Sequence, residues 1–155
     1  LVPNPSFEEK TTCQFSNGAF VSNVVLQWSS PNAASPDYFN TCGTPFFVDV
    51  PENFSGYQYA FGNGYAGIVN FSDGFFEYIE VKLTTPLEAG ETYCVSYFVC
   101  LAEQSNCASI GPQAFFSSDS INSSTFLNFN YTPQIQDTAI IYDTLNWVRI
   151  YGEFN

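Results

Sequence analysis

Turn-forming clusters cut this chain into short apolar runs, and that spacing restricts its fold more than any other feature. Extended runs fall at residues 19–28, 46–50, 65–71, 75–83, 92–101, 114–116, 126–131, 140–142 and 147–154. Between them stand Ser30-Pro31-Asn32, Pro36-Asp37, Gly62-Asn63-Gly64, Ser72-Asp73-Gly74, Glu88-Ala89-Gly90 and the segment 119–124. Short runs bounded by Gly, Pro, Asn and Ser read as strands, whereas a helix needs an apolar stripe sustained over about ten residues or more. A single peripheral helical turn is expected, at residues 133–138. About nine strands punctuated in this way predict an all-β fold, a two-sheet antiparallel β-sandwich of the jelly-roll type.

Aromatic content points the same way: 17 Phe and 10 Tyr in 155 residues suit pleated sheets, where large rings cover their cross-strand neighbours. Length and composition predict one domain over residues 1–155, a fragment of a larger secreted or surface protein. The clearest hairpin joins residues 75–83 to 92–101. Along its second arm Tyr93, Val95, Tyr97 and Val99 share one face, the expected core face, and Cys94, Ser96, Phe98 and Cys100 share the other. That second face is apolar enough to be covered or to line a concave surface.

Charge narrows the function. Three cations, Lys10, Lys82 and Arg149, stand against 15 carboxylates, for a net charge of −12. Nucleic acid and anionic membranes call for clustered Lys and Arg, so neither is an expected partner. No apolar run approaches the roughly 18 residues of a membrane helix, which argues against direct membrane insertion. With no His the commonest general base is missing, and no Ser/His/Asp or Cys/His set exists. Carboxylate pairs such as Glu8/Glu9 and Glu77/Glu80 have the chemistry of a glycosidase, yet among 15 acids some pairs are inevitable. The expectation is a non-catalytic protein that requires no cofactor.

Five cysteines without a C-x-x-C pair favour disulfides, and with them an extracellular or outer-surface location. Cys13–Cys42 is the first expected bridge and Cys100–Cys107 the second. Cys94 is then left to be buried as a small hydrophobe, the expected fate, or bonded to another chain.

Read in order, several short motifs carry a family resemblance. Leu1-Val2-Pro3-Asn4-Pro5-Ser6-Phe7-Glu8 leads to Cys13, Trp28, Ser35-Pro36-Asp37-Tyr38-Phe39-Asn40 and Cys42. Val50-Pro51-Glu52-Asn53, Gly56-Tyr57-Gln58, Gly64-Tyr65-Ala66-Gly67-Ile68, Glu77-Tyr78-Ile79 and the Trp147-Val148 to Gly152 run follow. Nearly the whole chain resembles an extracellular β-jelly-roll domain of surface and secreted proteins of gliding bacteria that use the type IX secretion system. It is more distantly similar to carbohydrate-binding jelly rolls. Cys94, Cys100 and Cys107 lie outside the family pattern, which also continues past Gly152-Glu153-Phe154 into a further strand. That final strand is expected to be missing from this chain or supplied by a neighbour.

The resemblance implies a structural calcium ion near the first strand, with Asn4 and Glu8 as candidate ligands. A solvated or capping Glu8 is the plainer alternative. It also implies O-linked sugar on Asp-Ser/Thr-aliphatic triplets, at Ser120, Thr138 and Thr144. Asn53, Asn70, Asn122 and Asn130 match the Asn-linked sequon, of which 14 Asn in a Ser/Thr-rich chain yield several by chance. A ligand-binding aromatic patch is expected at Tyr57, Gln58, Tyr59, Phe61, Asn63 and Tyr65: rings stack on sugar C–H faces, amides bond hydroxyls, and the glycines let a ligand approach. Core packing is the commoner fate of any one strand aromatic, and Trp28 and Trp147 are better core candidates still. Two functions follow. One is an adhesion or carbohydrate-binding-like module whose partners are glycans or surface proteins. The other is a structural subunit of a filament or surface layer, whose partners are copies of itself.

Overall fold

Every regular element among the described residues, which are 1–20, 23–71 and 74–155 of the computed structural model, is a β-strand. Val21 and Ser22 of one expected run, and Ser72 and Asp73 of one expected turn, lie outside the described residues. The strands are β1 (Trp28–Ser29), β2 (Asp37–Asn40), β3 (Glu52–Asn53), β4 (Gly56–Tyr57), β5 (Gly64–Gly67), β6 (Asn70–Phe71), β7 (Phe75–Phe76), β8 (Glu80–Val81), β9 (Tyr93–Val99), β10 (Ser109–Ile110), β11 (Ile140–Ile141) and β12 (Val148–Phe154). All pair antiparallel in twos: β1 with β8, β2 with β5, β3 with β4, β6 with β7, β9 with β12 and β10 with β11. The chain is all-β.

The chain forms two units, Leu1–Thr85 with Asp119–Phe129, and Pro86–Ser118 with Asn130–Asn155. In the first unit, Phe20, Val25 and Tyr38 are fully enclosed, with Phe7 and Trp28 packed against them. The Phe7 ring meets Phe20 edge-on at 5.9 Å and leans on Trp28 at 5.0 Å. A second cluster joins Phe39, Val48 and Val50 to Ala60 and Tyr65. In the second unit, Val99, Ile135, Ile141 and Ile150 form the core, with Tyr97, Val148, Phe116 and Phe154 around it. Burying one such Val, Ile or Phe stabilises by about 1.5–3 kcal/mol.

Along β9 the faces divide as the alternation predicts: Tyr93, Val95, Tyr97 and Val99 turn toward the core, and Cys94, Ser96 and Phe98 are exposed. Its partner is not the one expected. Residues 75–76 pair with β6 and residues 80–81 with β1, whereas β9 pairs over its whole length with β12, Tyr97 opposite Ile150. Alternation fixes which face of a strand is buried but not which strand lies beside it. Other expected elements also differ: of the described residues in 19–28 only Trp28 lies in a strand, and of 114–116 only Ala114 is paired, in an isolated bridge. Residues 46–50 form a turn, with Phe47 and Val48 N–H donating to Thr44 O and Phe46 at φ 60°. Residues 126–131 form no strand, although Phe126 O accepts from Phe76 N–H at 2.9 Å. The expected helical turn at 133–138 is absent because Ile135 is buried and makes an antiparallel bridge to Ala114, with both N–H···O distances 3.1 Å.

Cys13 and Cys42 are joined as expected, with Cα atoms 5.4 Å apart. The expected Cys100–Cys107 bridge is not formed. Cys100 Sγ instead donates to Asp143 O at 3.3 Å, and Leu101 N–H donates to the same carbonyl at 2.9 Å. Burial, helped by Asp143 and Glu103, pushes the Cys100 thiol up to about 11, so it stays a donor. Cys107 lies exposed beyond a turn closed by Ser105 N–H on Ala102 O. Cys94 is exposed rather than buried, because its place on β9 is an outward one.

The Cys13–Cys42 bridge closes a loop with a sequence separation of 29, for which chain entropy predicts about 3 to 4 kcal/mol of stabilisation. Replacing both residues by Ser is expected to lower the unfolding free energy by that amount, seen as a lower urea midpoint with a steeper slope as the unfolded chain expands. An unchanged midpoint would show that the bridge is not formed in the folded protein.

Candidate functional site

The short β3–β4 hairpin sets up the site. Asn53 sits at its turn, buried at 7 % exposure. Its Oδ1 accepts from Ser55 N–H at 3.0 Å and from the Ser55 hydroxyl at 2.6 Å, closing an Asx turn around Phe54. Its Nδ2 donates to Asp49 O at 3.1 Å and to the Tyr65 hydroxyl at 2.8 Å. Gly56, at φ 122°, takes a conformation that side-chain-bearing residues rarely adopt. The chain leaving this turn places Tyr57, Tyr59 and Phe61 outward, with Tyr59 at 64 % and Phe61 at 69 % exposure. Gln58 and Ala60, between them, are half-buried, and Ala60 packs on the Phe39–Val48–Val50 cluster. The Tyr57 and Tyr59 rings are perpendicular with centroids 5.3 Å apart, and Tyr57 OH donates to Tyr59 OH at 2.7 Å. That bond holds the Tyr57 phenol above its ordinary range.

Two members of the expected patch have structural work instead. Tyr65 is half-buried, its ring 5.1 Å from Phe39 and its hydroxyl taken by Asn53. Asn63 is fixed by Glu8: its N–H donates to Oε1 at 2.7 Å and its Nδ2 to Oε2 at 2.8 Å. Burial opposes ionisation of Glu8, but the bonds from Asn63 and Gly64 and the charge of Lys10 outweigh it and hold the carboxyl below its ordinary range. A Cβ at Gly62 would collide with that carboxylate, so the glycine is required by the cap. Asn4 is occupied elsewhere. Its Nδ2 donates to Glu9 O and Leu26 O, each at 2.9 Å, and its Oδ1 accepts from Glu9 N–H at 2.9 Å. Asn4 and Glu8 thus bond different partners in this structure. Among the described residues no group of three or more His, Cys, Asp or Glu could hold a metal ion.

Sequence reasoning missed Phe54, Phe47 and Phe46, exposed rings on the same stretch. Phe54 lies 5.6 Å from Phe47 and 5.4 Å from Phe39 between ring centroids. The signal was the Asn53-Phe54-Ser55-Gly56 turn, which forces its second residue to the surface.

Of the carboxylate pairs named above, Glu8, Glu77 and Glu80 accept from backbone N–H groups, while Glu9 accepts from Gln27 Nε2 at 3.5 Å. Glu80 accepts from Ser120 Oγ and, at 2.9 Å, from Ile121 N–H, and so pins residues 119–129 into the first unit. Glu77, only 4 % exposed, accepts from Val69 N–H at 2.9 Å, and Asp37 accepts from Gly18 N–H at 2.8 Å. The three O-glycosylation candidates differ in setting. Ser120 and Thr138 are exposed and Thr144 half-buried. Thr138 and Thr144 each follow an Asp whose Oδ1 accepts, at 2.8 Å, the N–H two residues on. Of the sequon residues, Asn53 is buried, while Asn70, Asn122 and Asn130 are exposed.

The fold and its bridge define an all-β, antiparallel, disulfide-bonded protein. No family model, no curated protein and no solved structure matches the chain. Among the described residues no helix is long and apolar enough to cross a membrane.

Glu77 couples stability to pH. Burial foremost, then the nearby Asp37 charge, pushes its carboxyl up to about 7 against the bonds from Val69 and Ser35. Burial raises Asp37 as well. A raised carboxyl means that the folded state holds its proton longer than the unfolded state, so stability is full below about pH 4.5 and falls as pH rises toward 7. Glu77→Gln is expected to remove up to about 3 kcal/mol of that fall. Thermal melts from pH 4.5 to 7.5 check it: the variant should gain on the parent as pH rises, and parallel curves would contradict the assignment.

Proposed function

We propose that this protein is a non-catalytic extracellular binding module that takes neutral carbohydrate on the Tyr57–Tyr59–Phe61 platform. The observation that carries the reading is the alternation there: three large rings turned outward at every second residue, on a backbone held by the buried Asn53 and the half-buried Ala60. Rings held in place by their own backbone lose little freedom on stacking against a sugar, and the Tyr57 and Tyr59 hydroxyls offer polar contacts at the rim. The net charge of −12 disfavours uronate or sulfated glycans and leaves neutral ones as the ligand class. The disulfide supports an extracellular setting. Antiparallel pairing throughout supports a jelly-roll sandwich related to the domains of type IX-secreted surface proteins.

Tyr59→Ala and Phe61→Ala each remove an exposed ring, so folding stability should stay within about 0.5 kcal/mol of the parent. Binding to an insoluble neutral polysaccharide, or to a responsive spot on a glycan array, should weaken about tenfold or more. Retention unchanged in both variants, or no neutral glycan bound by the parent, overturns the reading. Material from its natural source is also expected to carry added hexose mass on peptides containing Ser120, Thr138 or Thr144. Peptides of bare mass there would remove the glycosylation reading.

A further inference from the structure

We infer that β12 is a self-complementary edge through which two copies of this chain pair. It is seven residues long and bonded to β9 along one side. Among the described residues no strand or bridge lies along its other side. Open edges are normally guarded by prolines, bulges or repeated charges of one sign, because an unpaired ladder recruits any extended chain. β12 has none of these. Its outward face instead reads Arg149, Tyr151, Glu153, one charge of each sign placed symmetrically about a tyrosine. The guanidinium carbon of Arg149 lies 5.2 Å from the Tyr151 ring centre, and the Tyr151 hydroxyl donates to Glu153 Oε1.

This arrangement selects a partner. When two β12 strands pair antiparallel about a two-fold axis at Tyr151, each Arg149 faces Glu153 of the other copy, and the two tyrosines meet on the axis. On the core-facing side Val148 then lies opposite Phe154, and Ile150 opposite Gly152, a small residue beside a large one. Residues directly opposite across a ladder approach to about 5 Å between Cβ atoms, close enough for both ion pairs. Registers centred on Arg149 or on Glu153 set like charges against each other, and a parallel in-register pair does the same at both positions. Registers centred on Ile150 or Gly152 repel nothing but form neither ion pair, so the two-fold at Tyr151 is the register that gains both, and the occupant is a second copy of the same strand. This inference stands apart from the carbohydrate reading, since β12 belongs to the second unit and the aromatic platform to the first.

Charge reversal of the intact chain tests it, by sedimentation from micromolar to roughly millimolar concentration with the free thiols alkylated and the Cys13–Cys42 bridge left intact. The parent should form a reversible dimer. Arg149→Glu and Glu153→Arg should each weaken it about tenfold or more, and the double reversal should restore it to within about threefold. The two single changes move the net charge in opposite directions, so an effect of overall charge cannot weaken both. A parent that stays monomeric, a dimer indifferent to both reversals, or a dimer seen only when the free thiols are left uncapped overturns the inference. Amide exchange of the parent across the same range gives a check that needs no variant. Exchange that slows with concentration across residues 148–154 is expected, and concentration-independent exchange there counts against the pairing.

Discussion

Strands of two to four residues leave most of the first unit's backbone without a ladder, yet buried N–H and C=O groups must be bonded. Side-chain amides do much of that bonding here. Asn4 bridges the backbone at Glu9 and Leu26, and its own carbonyl receives the Trp28 indole N–H at 2.9 Å. Asn32 reaches Phe76 O at 2.8 Å across a sequence separation of 44. Asn40 donates to the Tyr38 hydroxyl at 2.7 Å, which donates to Phe7 O at 2.7 Å. Asn53 joins the hairpin that carries the aromatic platform to Tyr65 in the core. Among the described residues no buried side-chain nitrogen or oxygen is left without a partner. At that hairpin an asparagine stands where a longer ladder would otherwise have been needed.

The carboxylates follow the same rule. With three cations for fifteen acids, ion pairing cannot be their main role, and several are turned toward N–H groups instead. Glu8 caps the turn at Asn63, Glu77 holds Val69, and Glu80 holds Ile121. Asp143 receives Leu145 and Asn146 N–H, bonds that keep its carboxyl below the ordinary range. Where such a bond comes with solvent, as at Asp143, the ionised form wins. Where it comes with burial, as at Glu77, desolvation wins and the proton is retained.

That balance explains how far the sequence could be read. Turn punctuation and ring content were enough for the all-β class, and a period of two was enough to divide the faces of β9. Cys13 and Cys42 were identifiable because no zinc or redox spacing competed for them. The partner of β9 was not legible, since a strand's neighbours depend on non-local packing that its own pattern does not record. Nor was the fate of Cys100, which depends on the carbonyl of Asp143, 43 residues away. In the candidate site, Tyr59 and Phe61 were separable from Tyr65 only once Asn53 was seen to claim the Tyr65 hydroxyl. Nothing in the composition of the segment makes that distinction.

The first unit is discontinuous, and this orders events during synthesis. Residues 1–85 receive their last segment, 119–129, only after β9 of the second unit has been made. β9 in turn has no partner until residues 148–154 emerge. Neither half can close early: the first waits on residues 119–129, and the second on residues 148–154. Pairings that span such distances form slowly. Until residues 148–154 emerge, the apolar face of β9 stands without its partner strand, the kind of exposed segment that invites aggregation.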